Sequence, residues 1–208
     1  MNQNLEKDLV NCLDLINAKW QMQNDQLDKE TKFIYSCNSL QECLNQINLR
    51  KANKDYALHR WYNYMTSVYC EQIFCDYGAI HDEDIYNHDV DIYINGKPYD
   101  VKLTVYPKKL NNHPYNLKSR AGKNEMIKWY YANQSQEARK QMLNRIYVVC
   151  DGASQIECLR LKSDFKILRT KIKAFMDNAI ANDVNEIQIT DNGITYSLKS
   201  DIVYISYE

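Results

Sequence analysis

The spacing of apolar residues predicts helices in the first third of the chain. Apolar positions recur at helical intervals through residues 1–50, and Ser39 with Glu42 forms the capping-box pattern that opens a helix. A longer helix is predicted over 53–75, and Gly78 lies just beyond its end, as is typical of a helix C-terminus.

The pattern then changes from helical to alternating. Over 80–107 apolar and polar residues alternate, which predicts strands, and Asn95-Gly96 has the composition of a two-residue hairpin turn. Such a turn fixes the pairing of the strands that flank it. We therefore expect Asp91 directly opposite Asp100, with their Cα atoms about 4.5 Å apart.

The rest of the chain predicts further helices and strands of an α/β protein. In chain order the predicted elements are a loop over 106–124, one or two helices over 125–144, a strand over 146–150, a helix over 164–181, and a hairpin followed by a last strand. We expect one domain made of a helical extension (1–52), a core (53–150) and a C-terminal helix with strands (151–208).

Composition excludes several classes of protein. Hydrophobic residues make up 45% and charged residues 25%, which are ordinary globular values. No apolar run resembles a secretory signal or a membrane span, so we expect a cytoplasmic protein without a membrane partner. The seven cysteines include no Cys-x-x-Cys pair, so neither a disulfide framework nor a zinc site is indicated.

The formal net charge of −1 conceals a strong segregation of charge. Residues 71–91 hold seven acidic side chains and no Lys or Arg, whereas residues 97–128 hold eight basic side chains and two acidic ones. Overall neutrality therefore does not count against a nucleic-acid partner.

One face of the predicted hairpin is ionic or polar. Because side chains alternate across a strand, this face carries Asp89, Asp91, Asp100, Lys102 and Thr104. Two carboxylates at so short a distance destabilise the sheet unless a cation lies between them or one of them is protonated. Mg²⁺ binds through one or two carboxylates and keeps positions for water and phosphate oxygens. A solvated ladder of ion pairs explains the same residues equally well.

The arrangement of Asp91, eight further residues, then Asp100-Val101-Lys102 resembles the signature of the PD-(D/E)XK, or restriction-endonuclease-like, nuclease superfamily. The resemblance covers residues 53–150 and implies an αβββαβ core with a mixed sheet. It makes Asp91 and Asp100 metal ligands, with the Val101 carbonyl as a third, and places Lys102 beside the attacking water. Val90 replaces the proline of the signature, and Asp89 offers an alternative first aspartate.

Members of this superfamily often add a carboxylate from the preceding helix, and Glu71 is the candidate here. The resemblance implies a Mg²⁺-dependent endonuclease, with Mn²⁺ as an alternative ion, that hydrolyses DNA in restriction or phage defence. Cleavage of both strands generally requires two active sites, which makes a homodimer plausible. The alternatives are a non-catalytic nucleic-acid-binding or assembly module of the same fold, and an unrelated α/β protein whose hairpin carries ion pairs.

Basic and polar residues after the motif are candidates for binding nucleic acid. They are Lys108, Lys109, Lys118, Arg120, Lys123, Gln134 and Arg139. The alternative is that the loop is merely solubilising and that Arg139 and Arg145 lie on the surface of an amphipathic helix. A separate metal site at His81 and His88, with the acidic residues between them, is less favoured than a solvated acidic loop.

Overall fold

The computed structural model describes residues 3–17, 19, 24–84, 87, 89–110, 114–133 and 142–207. The α-helices are α1 (Gln3–Leu13), α2 (Asp25–Glu30), α3 (Leu40–Arg50), α4 (Lys54–Asp76), α5 (Arg120–Ala132), α6 (Gln155–Ser163) and α7 (Phe165–Asn182). The strands are β1 (Ile80–His81), β2 (Ile92–Ile94), β3 (Lys97–Val105), β4 (Arg145–Cys150), β5 (Glu186–Asp191) and β6 (Ile194–Ile205). Short 3₁₀ helices occupy Lys32–Ser36 and Lys108–Leu110.

The six strands form one mixed sheet in the order β1-β2-β3-β4-β6-β5. At its centre β3, β4 and β6 run parallel, whereas β1, β2 and β5 pair antiparallel with their neighbours. The α/β class and the mixed sheet that the sequence predicts are confirmed.

Helices cover both faces of the sheet. On one face α5 packs against side chains that include Tyr147, Val149 and Ile202. On the other face α1, α4, α6 and α7 pack against a second set, which includes Val101 and Ile146. Both faces of the parallel strands are therefore buried, as expected for strands linked by helical crossovers. No helix in the described part of the chain is long and apolar enough to cross a membrane.

The helix that precedes the hairpin follows its predicted course. Asn53 caps α4, its side chain accepting from the Tyr56 N–H, and the helix continues to Asp76. The Trp61 indole N–H donates to the Cys37 carbonyl at 2.9 Å, and the Tyr62 hydroxyl donates to the Leu159 carbonyl at 2.6 Å. These bonds fix α4 against its neighbours and thereby position the residues later in the helix.

The loop predicted over 106–124 is wrong in its last five residues. Helix α5 begins at Arg120, because the Ser119 side chain accepts a hydrogen bond from the Gly122 N–H and caps the helix there. The helix ends at Ala132, and residues 142–144 are not helical. The predicted helical segment over 125–144 is thus too long at that end, while residues 134–141 lie outside the described residues.

The C-terminal region contains two helices where the sequence predicted one. Ser154 caps α6, and Asp164 ends it and caps α7. The predicted hairpin exists, but its second strand and the predicted last strand are one continuous strand, β6. The predicted break falls next to Ser200, yet Ser200 is buried and donates its hydroxyl to the Arg145 carbonyl at 2.8 Å.

Lys162 on α6 is a buried cation whose charge destabilises the fold. Its side chain lies among Asn63, Cys70 and Cys150, it is 5% exposed, and its Nζ donates to Asn63 Oδ1 at 2.5 Å. Burial lowers the pKa of Lys162 to about 8, although the two thiols oppose the shift. Between that pKa and its ordinary value near 10.4, the unfolded chain binds the proton and the folded chain does not. Stability should therefore rise with pH through this window.

We expect Lys162→Met to raise the free energy of unfolding at pH 7 by about 1–3 kcal/mol, because the buried charge is removed while the side-chain volume is kept. The gain should shrink as the pH approaches 10. Urea unfolding at pH 7 and pH 9.5 measures it, with Lys173→Met on the exposed face of α7 as control. Equal stability of wild type and Lys162→Met at pH 7 would show that the buried charge has no cost.

Candidate functional site

The hairpin that carries the candidate residues has the predicted turn and register. Asn95 and Gly96 have φ of 50° and 73°, a combination that favours Asn-Gly in a two-residue turn. The predicted pairing is observed as far as Ile92 opposite Tyr99.

The predicted cross-strand pair of Asp91 and Asp100 is wrong. The Asp91 N–H donates to the Tyr99 carbonyl at 2.9 Å, and the Asp100 N–H donates to the Asn144 carbonyl at 3.0 Å. The ladder between β2 and β3 ends at Ile92, because the next N–H of β3 on that edge, that of Val101, donates to the Asp91 side chain and not to a backbone carbonyl. For the same reason the ladder does not reach the predicted pairing of Asp89 with Lys102.

The two carboxylates nevertheless converge. Asp91 Oδ2 accepts a hydrogen bond from the Val101 N–H at 2.7 Å, which brings Asp91 to the edge of β3. Its carboxyl lies within hydrogen-bonding reach of Asp100. Burial, together with the Asp100 carboxylate, raises the pKa of Asp91, while the Val101 N–H and Lys102 oppose that rise. The N–H and carbonyl of a residue in a strand point to the same side. The Val101 carbonyl is therefore directed toward Asp91.

Asp100 is held by two cations. It is 3% exposed, its Oδ1 pairs with the Lys102 ammonium, and its Oδ2 accepts from Arg145 Nε at 2.7 Å. The Lys102 side chain is half exposed, so one side of this cluster faces solvent. Arg145 is itself buried, and its guanidinium lies 5.6 Å from the centre of the Tyr131 ring.

The contact between Arg145 and Asp100 was not predicted from the sequence. The interpretation of Arg145 as a helix-surface residue is wrong, because it is the first residue of β4 and all six residues of that strand are buried. A charged residue in a buried strand needs a partner, and that rule was the available signal.

Glu71 reaches the same region from α4. Its side chain is mostly buried, and its Oε2 lies 3.6 Å from Nε2 of His81 on β1. Burial raises the pKa of Glu71 to about 7, and the Asp91 carboxylate adds to the rise, while His81 and Lys102 oppose it. His81 therefore lies beside the predicted site, whereas His88 is outside the described residues.

The donors suit an ion that needs few protein ligands. Among the residues that the structure describes, no group of three His, Cys, Asp or Glu side chains has the arrangement of a metal site. Asp91 and Asp100 are two neighbouring carboxylates, and Lys102 and Arg145 already offset part of the repulsion between them. Mg²⁺ is commonly held by one or two carboxylates and completes its shell with water and phosphate oxygens. This pair fits that mode of binding.

The basic residues after the motif fall into three groups. Lys109 and Lys118 are exposed. Arg120 Nη1 lies 2.8 Å from Asp201 Oδ1, and the Lys123 ammonium donates to the Ile202 carbonyl at 2.7 Å, so these two join α5 to β6. Gln134, Arg139 and the side chain of Lys108 lie outside what the structure describes.

Comparisons of the chain with protein families, with curated proteins and with solved structures found no match. The interpretation of the site therefore depends on its own residues. Chemically, the cluster offers two adjacent carboxylates, a third carboxylate with a pKa near 7, and a half-exposed ammonium. Such a set suits binding of a divalent cation next to an anionic group.

Proposed function

We propose that this protein is a metal-dependent endonuclease of the PD-(D/E)XK type that hydrolyses phosphodiester bonds in DNA. The observation that carries the proposal is the meeting of Asp91 and Asp100, with Lys102 paired to Asp100. These are the three residues that the signature marks, and they come from two separate segments of the chain.

The order of elements also supports the proposal. Helix α4 is followed by β1, β2 and β3, then by α5 and β4. Strands β1 to β3 pair antiparallel in sequence, and β4 joins β3 in parallel. This is the αβββαβ order implied by the resemblance.

In the proposed site Asp91, Asp100 and the Val101 carbonyl would hold Mg²⁺ or Mn²⁺, with Glu71 as an additional carboxylate. The bound ion would polarise the scissile phosphate and lower the pKa of a water molecule. Lys102, which is paired with Asp100 Oδ1 and half exposed, would turn its ammonium to the phosphate and stabilise developing negative charge there. The Arg145 guanidinium remains hydrogen-bonded to Asp100 Oδ2 and keeps the Asp100 carboxylate oriented.

One observation favours the alternative of a non-catalytic module with the same fold. Both oxygens of Asp100 are already paired inside the chain, and the residue is almost completely buried. In that alternative, Asp100 serves to join β3 to β4 and binds no ion. The two proposals differ in whether Asp91 is needed for a metal-dependent reaction.

Cleavage of supercoiled plasmid and of labelled single strands, with Mg²⁺ or Mn²⁺, tests the proposal. We expect cleavage that EDTA abolishes and that falls by about 10²-fold or more in Asp91→Asn, which keeps an acceptor for the Val101 N–H. Asp177→Asn, an exposed carboxylate on α7, is the matched control. Cleavage that survives in Asp91→Asn would exclude this site, and absence of cleavage in wild type would favour the non-catalytic module.

Lys109 and Lys118 should contribute to DNA binding without contributing to stability, because both are exposed. We expect the double variant Lys109→Gln/Lys118→Gln to lower the slope of log affinity against log salt by about 2, one for each phosphate that is no longer neutralised. Fluorescence anisotropy with labelled duplex at several salt concentrations measures the slope. Lys173→Gln on α7 is the control, and an unchanged slope in the double variant would remove these lysines from the interface.

A further inference from the structure

A second concave site lies at the carboxyl ends of β3 and β4. It is a crevice of about 280 Å³, lined on one side by Val105, Tyr106 and Pro107, and on the other by the segment from Asp151 to Gln155 together with Cys158. Pockets of this size suit a single small ring system. Val105 follows Lys102 by three residues, so the crevice is about 10 Å along the strand from the carboxylate site.

The crevice exists because the chain leaves the two strands toward opposite faces of the sheet. After β3 the chain passes to the face covered by α5, where Tyr106 and Leu110 pack. After β4 it passes to the other face, where Leu159 of α6 packs. In open α/β sheets, ligands bind outside the carboxyl ends of strands at the point where neighbouring connections diverge in this way.

The N-terminus of α6 borders the crevice, but its N–H groups are largely in use. The Ala153 N–H donates to Glu157 Oε2 at 2.8 Å, the Glu157 N–H donates to Ser154 Oγ at 3.3 Å, and the Gly152 N–H contacts the Cys158 sulfur at 3.2 Å. Because the Glu157 carboxylate already accepts from the Ala153 N–H, the N-terminus of α6 does not attract a further anion.

What the crevice offers instead is hydrogen-bond acceptors. Asp151 Oδ2 accepts from the Tyr204 hydroxyl at 2.8 Å, which fixes the carboxylate at the end of β4. Gln155 also borders the crevice, but its Oε1 is buried away from any ligand there. A carboxylate that is fixed at the wall of a crevice favours a ligand that brings a hydrogen-bond donor. Tyr106 and Pro107 add flat, largely apolar surfaces.

We propose that this crevice binds a nucleobase that carries an exocyclic amino group, adenine or cytosine. The amino group donates to the Asp151 carboxylate, and the ring lies against Tyr106 and Pro107. The base belongs either to a free nucleoside or to a DNA strand. This site shares no residue with the carboxylate cluster, and its occupancy requires no cleavage activity.

Calorimetry with adenosine and inosine, which differ in this amino group, tests the proposal. We expect adenosine to bind at least about tenfold more tightly than inosine, since inosine places a carbonyl oxygen where the adenosine amino group donates to the Asp151 carboxylate. Asp151→Asn should weaken adenosine binding by a similar factor while Asp177→Asn does not. The Asn side chain still accepts from Tyr204, and thermal melting of each variant verifies folding. Amide resonances of Gly152 and Ala153 should shift on adenosine binding.

Equal binding of adenosine and inosine, no binding of either, or full affinity in Asp151→Asn would overturn the proposal. Competition then distinguishes the source of the base. Displacement of adenosine by an adenine single strand, but not by a thymine one, assigns the crevice to DNA. Failure of both strands to displace adenosine assigns it to the free nucleoside. Either result supports recognition of the amino group, and neither depends on whether Asp91 and Asp100 hold a metal.

Discussion

Lys102→Met should lower the proposed metal-dependent DNA cleavage by about 10²–10³-fold, since in that mechanism the variant loses the charge that would stabilise the transition state. The Lys102 side chain is half exposed, so its replacement by a chain of similar length removes little packing. Its loss also frees Asp100 Oδ1 from a competing cation. Affinity for Mg²⁺ should therefore be kept or increased while the cleavage rate falls.

Single-turnover cleavage at saturating Mg²⁺, measured together with Mg²⁺ titrations, separates these two effects. Lys128→Met provides the control, because Lys128 is a half-exposed lysine on α5 that pairs with the exposed Glu125. Wild-type cleavage rates in Lys102→Met would mean that Lys102 only neutralises Asp100.

Arg145→Met should lower the free energy of unfolding by about 3–5 kcal/mol, the cost typical of removing one partner of a buried ion pair. Asp100 and Arg145 are both buried, and the bond from Nε to Oδ2 is 2.7 Å long. Without the guanidinium, Asp100 keeps only the half-exposed Lys102 as a cationic partner in the described structure. Urea unfolding at pH 7 measures the loss.

The double variant Arg145→Met/Asp100→Asn identifies the cause of that loss. It removes the buried negative charge along with the cation, so it should recover part of the stability lost in Arg145→Met. Lys128→Met, which breaks an exposed pair, should cost less than about 1 kcal/mol. If Arg145→Met costs no more than this control, Arg145 does not hold Asp100 in solution.

The elements that local chemistry determines were predictable from sequence. The Asn95-Gly96 turn set the register of the hairpin correctly, because two residues with positive φ leave few alternatives. The helix over 53–75 matched α4 within a residue at each end, since Asn53 caps it. Ser119 and Ser154 cap α5 and α6 in the same manner, but Ser119 stands in the segment predicted as a loop, and no helix was predicted over 155–163.

The contacts that depend on tertiary structure were not predictable. The hairpin alone implied that Asp91 and Asp100 face each other across a ladder, yet the ladder ends at Ile92 and the Asp91 side chain accepts from the Val101 N–H. The proximity of Glu71 to His81 and the burial of Arg145 against Asp100 also require the packed sheet. The sequence pattern identified the residues of the cluster, but their partners come from strands that are distant along the chain.

Binding of Mn²⁺ in the presence of duplex DNA tests the central claim most directly. The loss of the EPR signal of the free ion measures this binding. The central claim is that Asp91 and Asp100 together hold a divalent cation. Wild-type protein should bind Mn²⁺, and Asp91→Asn should weaken binding about tenfold or more while Asp177→Asn leaves it unchanged. Equal Mn²⁺ affinity in wild type and Asp91→Asn, or no binding by wild type, would contradict the account.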